Sequence, residues 1–146
     1  MAKSLKVTKI KDGTVLDHLP AGSALDIVEM MGLGTSNPLI IAMNVGSSKR
    51  GKKDIIKIEH KLLSKKETDK ISLIAPHATI NIIKNEALHD KRHVKMPDEL
   101  KGLLICPNKK CITNMELCKT KFVRKDTKYK CDFCERRFSI EDFNLS

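Results

Sequence analysis

Four cysteines near the C-terminus, Cys106, Cys111, Cys131 and Cys134, carry the clearest chemistry in the chain. They form two close pairs, C-x4-C and C-x2-C, with nineteen residues between the pairs. Zn²⁺ takes four soft or borderline donors in a tetrahedron, with thiolate sulfur at about 2.3 Å. One short pair closes a tight knuckle that aims two sulfurs at a single point, and the second knuckle supplies the other two. With all four positions filled by protein, none is left for water or substrate, so the pattern predicts one structural zinc. Two disulfides are the competing use of the same residues. Met1-Ala2-Lys3-Ser4 runs into Leu5-Lys6-Val7 without a long apolar stretch. That predicts no secretory leader, a reducing cytoplasmic location, and metal over disulfide. Cys118 would need a C-x6-C loop to join Cys111, so it is expected to be a free thiol packed as a small hydrophobe.

Other reactive residues form weaker patterns. There is no G-x-S-x-G, no Walker lysine loop and no H-E-x-x-H. His89 and His93 are four apart, but Asp90-Lys91-Arg92 between them is not convincingly helical, and both read as solvated histidines in a linker. Asp17-His18 closes an extended segment before Pro20. Side by side they could hydrogen-bond a polar ligand; taken alone, the aspartate reads as a turn former. Lys57 sits inside Ile55-Ile56-Lys57-Ile58. Its stem must pack and its ammonium must point at something, either solvent at a protected edge or a phosphate.

The elements that must hold these residues follow from local pattern. Residues 4–10 alternate as a strand, and Asp12-Gly13 is a turn signal. Thr14 to Leu19 is extended. Ser23 can cap a helix running to Met31, stopped by Gly32 or Gly34. Leu39 to Val45 reads as a buried strand, Gly46 to Lys53 as a hairpin loop, and Asp54 to Glu59 as the next strand. Ser64-Lys65-Lys66-Glu67 is a capping box opening a helix to about Ile74, before Pro76. Thr79 to Ile83 is β-rich. Two βαβ-like halves around a central hairpin predict an α+β, ferredoxin-like sandwich with an antiparallel sheet. After Glu86 the pattern decays, and Pro97-Asp98-Glu99-Leu100 resembles a short helical start. A boundary is expected near residue 96, giving domains 1–96 and 97–146, the second a small all-β zinc ribbon whose folding depends on metal.

The chain has 146 residues, 40% of them apolar, with no Trp, one Tyr and four Phe, so a largely aliphatic core is expected. No stretch approaches the ~20 apolar residues needed to span a bilayer. The formal charge is +10, shared as +5 over residues 1–100 and +5 over residues 101–146. Such a surplus suits polyanions, or simply a solvated lysine-rich surface. One function consistent with knuckles and charge is a nucleic-acid-binding zinc ribbon. Lys119, Lys121, Arg124, Lys125 and Lys128 would supply charge, and Phe122 and Tyr129 the stacking surface.

Four ordered segments carry a more specific resemblance. They are Gly13-Thr14-Val15-Leu16-Asp17-His18-Leu19-Pro20-Ala21, Gly51-Lys52-Lys53-Asp54-Ile55-Ile56-Lys57-Ile58-Glu59, Ala75-Pro76-His77-Ala78-Thr79-Ile80-Asn81, and the two knuckles from Cys106-Pro107-Asn108-Lys109-Lys110-Cys111-Ile112 to Cys131-Asp132-Phe133-Cys134. In this order the chain resembles the regulatory chain of aspartate carbamoyltransferase, of pyrimidine biosynthesis. The resemblance implies no enzyme activity. It implies a nucleotide-binding allosteric domain and a zinc domain that contacts the catalytic chain. Implied partners are that chain, a regulatory-chain homodimer, and the effectors CTP and ATP, with no nucleic acid and no membrane. Carried over by position, Lys57 and Lys91 would face the triphosphate, Asp17 and His18 the phosphate and sugar end, and Asn81 the ribose. Ile10, Val15, Ile83 and Leu88 would border the base. Where the family can carry an aromatic beside the base, this chain has Glu86.

Overall fold

The computed structural model describes residues 10–47 and 51–144. The chain divides into two units that meet between Lys95 and Met96. In the first, strands β1 (Gly13–Pro20), β2 (Leu39–Ser47), β3 (Gly51–Glu59), β4 (Thr79–Lys84) and β5 (Ala87–His93) accompany helices α1 (Ala24–Met31) and α2 (Lys65–Ile74). The sheet is antiparallel, in the order β2-β3-β1-β4-β5. Its first four strands have the interleaved order of the split βαβ arrangement, and β5 adds an edge. The strand expected over residues 4–10 lies outside the described residues apart from Ile10, which is buried and in no strand.

Alternation sends every second side chain of a strand to one face. Leu16 of β1, Ile56 and Ile58 of β3 and Ile80 of β4 point to the helix side. There they meet Ala24 and Ile27 of α1 and Ile71 of α2 in one aliphatic core. Gly13 opens β1 because a Cβ there would collide with the carbonyl oxygen of Ile58, and its φ of +145° suits glycine. The capping box forms as the sequence predicts: Ser64 Oγ accepts from Glu67 N at 3.2 Å, and Glu67 Oε1 accepts from Ser64 N at 2.9 Å. Gly32, with φ 64°, ends α1.

Several expectations are corrected. Ser23 does not cap α1, because its hydroxyl donates to Pro20 O at 2.6 Å. The cap comes from β3, where the fully buried Asp54 accepts from Gly22 N at 2.8 Å and Ala24 N at 3.0 Å. The loop expected over Gly46 to Lys53 is mostly strand, with Val45 opposite Lys53, Gly46 opposite Lys52 and Ser47 opposite Gly51. The segment read as a histidine-bearing linker is β5. Asn85 (φ 51°) and Glu86 (φ 66°) form a two-residue left-handed turn that folds it back on β4.

The second unit is all-β, with strands β6 (Glu99–Lys101), β7 (Lys121–Lys125), β8 (Lys128–Cys131) and β9 (Arg137–Phe138) in sequential antiparallel order. Where a helical start is expected at Pro97 to Leu100, Pro97 and Asp98 lead into β6 and Glu99 and Leu100 belong to it. Every aromatic residue of the chain lies at or beyond Phe122, so this unit has an aromatic core while the first is aliphatic. Phe122 and Phe143 meet edge to face at 5.1 Å, and the buried Tyr129 hydroxyl donates to Pro97 O at 2.7 Å.

Candidate functional site

Sheet register gathers the polar residues of the first unit. Lys57 of β3 lies opposite Val15 of β1, Val15 opposite Asn81 of β4, and Asn81 opposite Lys91 of β5. These four residues form one row across four strands, on the face away from α1 and α2. The next row holds Asp17, Thr79 and His93, and on the other side Gly13, Ile83 and Leu88. Seven of the nine residues expected at a nucleotide thus share one face: Val15, Asp17, Lys57, Asn81, Ile83, Leu88 and Lys91. Ile10 lies buried just ahead of β1. His18 sits in a bulge of β1 where the register with β3 slips, with φ at 59°. Its own N–H donates to Asp17 Oδ1 at 2.6 Å, and its ring Nδ1 lies 3.2 Å from Thr79 Oγ1.

Three neighbours escape sequence reasoning. Lys53 pairs with Asp17 at 2.9 Å, both mostly buried. It is hidden because its segment reads as a loop. Thr79 and His93 join the Asp17 row only through strand pairing, which leaves no local signal.

The cysteines of the second unit converge. Asn108 O accepts from Cys111 N at 2.9 Å, and Asn114 Nδ2 donates to Cys106 O at 3.0 Å, closing the first knuckle. In the second, Glu135 N donates to Cys131 O at 2.9 Å, with Glu135 at φ 61°. All four Sγ atoms lie within 4.8 Å of one another, with Cys106–Cys134 and Cys111–Cys131 each at 3.8 Å. A disulfide needs about 2.05 Å, so neither pair is bonded. A tetrahedron with metal–sulfur distances of about 2.3 Å has edges of about 3.8 Å. The set therefore fits one structural zinc. Burial, assisted by neighbouring thiols, pushes the Cys106 thiol up. At Cys111 burial also pushes up, but hydrogen bonds from Thr113 and from the Cys131 and Cys106 thiols together outweigh it and draw the thiol down to about 7. The Thr113 hydroxyl donates to Cys111 Sγ at 3.2 Å, the outer-shell contact expected of a thiolate ligand. Cys118 stands outside the cluster. It is exposed rather than packed, which corrects the expectation of a buried thiol.

Phe122 and Tyr129, the stacking residues a nucleic-acid ribbon would require, are both fully buried. No helix among the described residues is long and apolar enough to cross a membrane.

A ferredoxin-like unit followed by a closed four-cysteine ribbon defines a two-domain chain with a structural metal centre. The chain belongs to the aspartate carbamoyltransferase regulatory chain family, and is thus a regulatory rather than a catalytic subunit. Residues 5–95 match the family's allosteric domain and residues 98–144 its metal binding domain. It is 48% identical to the aspartate carbamoyltransferase regulatory chain of Thermococcus sibiricus over 137 residues, 92% of this chain and 91% of that one. To the same chain of Methanopyrus kandleri it is 47% identical over 142 residues, 93% and 91% of the two. To that of Pyrococcus furiosus it is 44% identical over 144 residues, 94% and 95%.

Proposed function

We propose that the first unit binds nucleotide effectors such as CTP and ATP on the helix-free face of its sheet, and that the second holds the chain to the aspartate carbamoyltransferase catalytic chain. The observation that carries the nucleotide reading is the row Lys57–Val15–Asn81–Lys91. Two ammonium groups act as point charges for a triphosphate. Asn81 hydrogen-bonds the ribose, Asp17 and His18 lie towards the phosphate and sugar end, and Ile10, Val15, Ile83 and Leu88 border the base. A nucleotide that binds the two quaternary states unequally shifts their balance, with coupling energies of about 1–3 kcal/mol.

The catalytic chain is met by the apolar surface of the zinc unit. Ile105, Ile112, Met115 and Leu117 are exposed around the first knuckle. A patch of that kind on so small a unit suits a stable protein interface. The regulatory-chain homodimer forms through β2. That edge strand carries no charged residue, whereas β5 at the opposite edge carries Asp90, Lys91 and Arg92. Charge on an edge discourages pairing and its absence permits it.

Calorimetric titration of the zinc-loaded chain with CTP and ATP, beside a Lys57→Ala variant, tests the nucleotide reading. Saturable binding that weakens roughly tenfold or more in the variant supports it. No binding by the wild type, or equal binding by both proteins, removes the proposed site.

A further inference from the structure

We propose a second ligand site in the first unit, on the helix side of the sheet, that takes a small organic anion with an apolar body. It does not depend on the nucleotide reading. A cleft of about 310 Å³ opens between the start of α2 and β5, within the size range of small-molecule sites. Register explains the cleft. Leu16, Ile80 and Arg92 form one helix-side row, and Thr14, Ile82 and Asp90 the next. The core helices cover Leu16 and Ile80, but β5 is exposed along its whole length, so the sheet continues past its cover. Ile80 and Ile82 floor the resulting cleft and Leu63 walls it.

Charge at the mouth comes from Lys65 on α2 and Arg92 on β5. Each has a carboxylate partner on its own element: Lys65 with Asp69 at 2.9 Å, and Arg92 with Asp90 at 3.3 Å. Both cations are well exposed, at 82% and 63% of their side-chain surface. The Arg92–Asp90 pair is exposed on both sides and holds weakly, so a ligand anion can replace Asp90 at little cost. Asp69 is only 14% exposed, and the exposed Lys65 ammonium is shared between it and the ligand. The Thr14 and Thr68 hydroxyls donate to Lys61 O and Lys65 O, which leaves only their lone pairs for the cleft. The helix terminus is not the attraction, since Ser64 and Glu67 already satisfy it. Recognition therefore rests on two cations above an isoleucine floor, the chemistry of a small phosphate monoester or carboxylate with an aliphatic or aromatic body. Arg92 supplies a planar, bidentate fork for such a group.

The test uses the full zinc-loaded chain, with phenyl phosphate as the probe and isoleucine methyl resonances as the readout. The expected result is saturable shifts at Ile80 and Ile82, with a Kd of about 1 mM, retained in Lys57→Ala. Inorganic phosphate and benzyl alcohol, each offering half of the recognition, should bind at least roughly tenfold more weakly. A double variant, Lys65→Gln with Arg92→Gln, should also lose roughly tenfold or more while its other methyl resonances stay in place. Absence of saturable shifts at Ile80 and Ile82, equal binding by the folded double variant, or shifts confined to Ile83 on the other face would overturn the assignment. Because Lys57→Ala disables only the opposite face, failure here is distinct from failure of the nucleotide reading.

Discussion

Asp54 shows how much one side chain can decide. Its Oδ2 accepts two backbone N–H groups at the start of α1, and its Oδ1 accepts Asn44 N at 2.9 Å, where β2 bulges with Asn44 at φ 60°. One buried carboxylate thus fixes a helix start, a strand irregularity and the strand that also carries Lys53 and Lys57. Asn in its place presents an NH₂ to backbone donors on one side. Asp54→Asn is expected to cost about 2–3 kcal/mol, read as a lower urea midpoint for the first unit. A midpoint unchanged from wild type would show that the three bonds are dispensable. Lys57 is the contrasting case. It lies off the aliphatic core, so Lys57→Ala is expected to reduce nucleotide affinity while leaving the urea midpoint nearly unmoved.

At the scale of the element, the two helices are started by different means. The capping box of α2 is local, and Ser64→Ala is expected to cost about 1 kcal/mol in thermal or urea unfolding. Glu67 adds a pH dependence. Burial alone would raise its carboxyl, but hydrogen bonds from Ser64 and the Lys61 ammonium outweigh burial and hold it below its ordinary value. A carboxyl depressed in the folded state contributes its stability above the unfolded value. That contribution is lost as pH falls through the lower folded one. Acid titration should therefore destabilise the wild type below about pH 4.5, and Glu67→Gln should flatten that limb. An identical acid limb in both proteins would assign the loss to other carboxylates.

The whole molecule joins two units stabilised differently. The first buries an aliphatic layer between one sheet and two helices. The second has four short strands, an aromatic cluster of Phe122, Phe138 and Phe143, and the cysteine centre. A unit of about 50 residues buries a core that is marginal by itself, so the metal supplies much of its folding energy. Chelation is expected to abolish the near-ultraviolet signal of Tyr129 and release the catalytic chain. Nucleotide binding by the first unit should persist. Retained assembly after complete zinc removal would place the interface elsewhere.

The cysteine spacing, the α2 capping box and the alternation of β1, β3 and β4 were legible in the sequence because each is a pattern over a few neighbouring residues. They determined an α+β chain with a metal ribbon and named its four cysteine ligands, whereas the residues expected at a nucleotide came from the family resemblance and not from any local pattern. The tertiary structure decided what no local pattern carries. β5 is a strand although its residues show no apolar alternation, since neither of its faces is covered. Asp54 caps a helix thirty residues earlier, and Lys53 meets Asp17 across a strand pair. Phe122 and Tyr129 are core rather than a stacking surface, because burial depends on what folds over a side chain and not on its type. Lys57, Val15, Asn81 and Lys91 stand in one row only because antiparallel register aligns them, and register is set by long-range pairing.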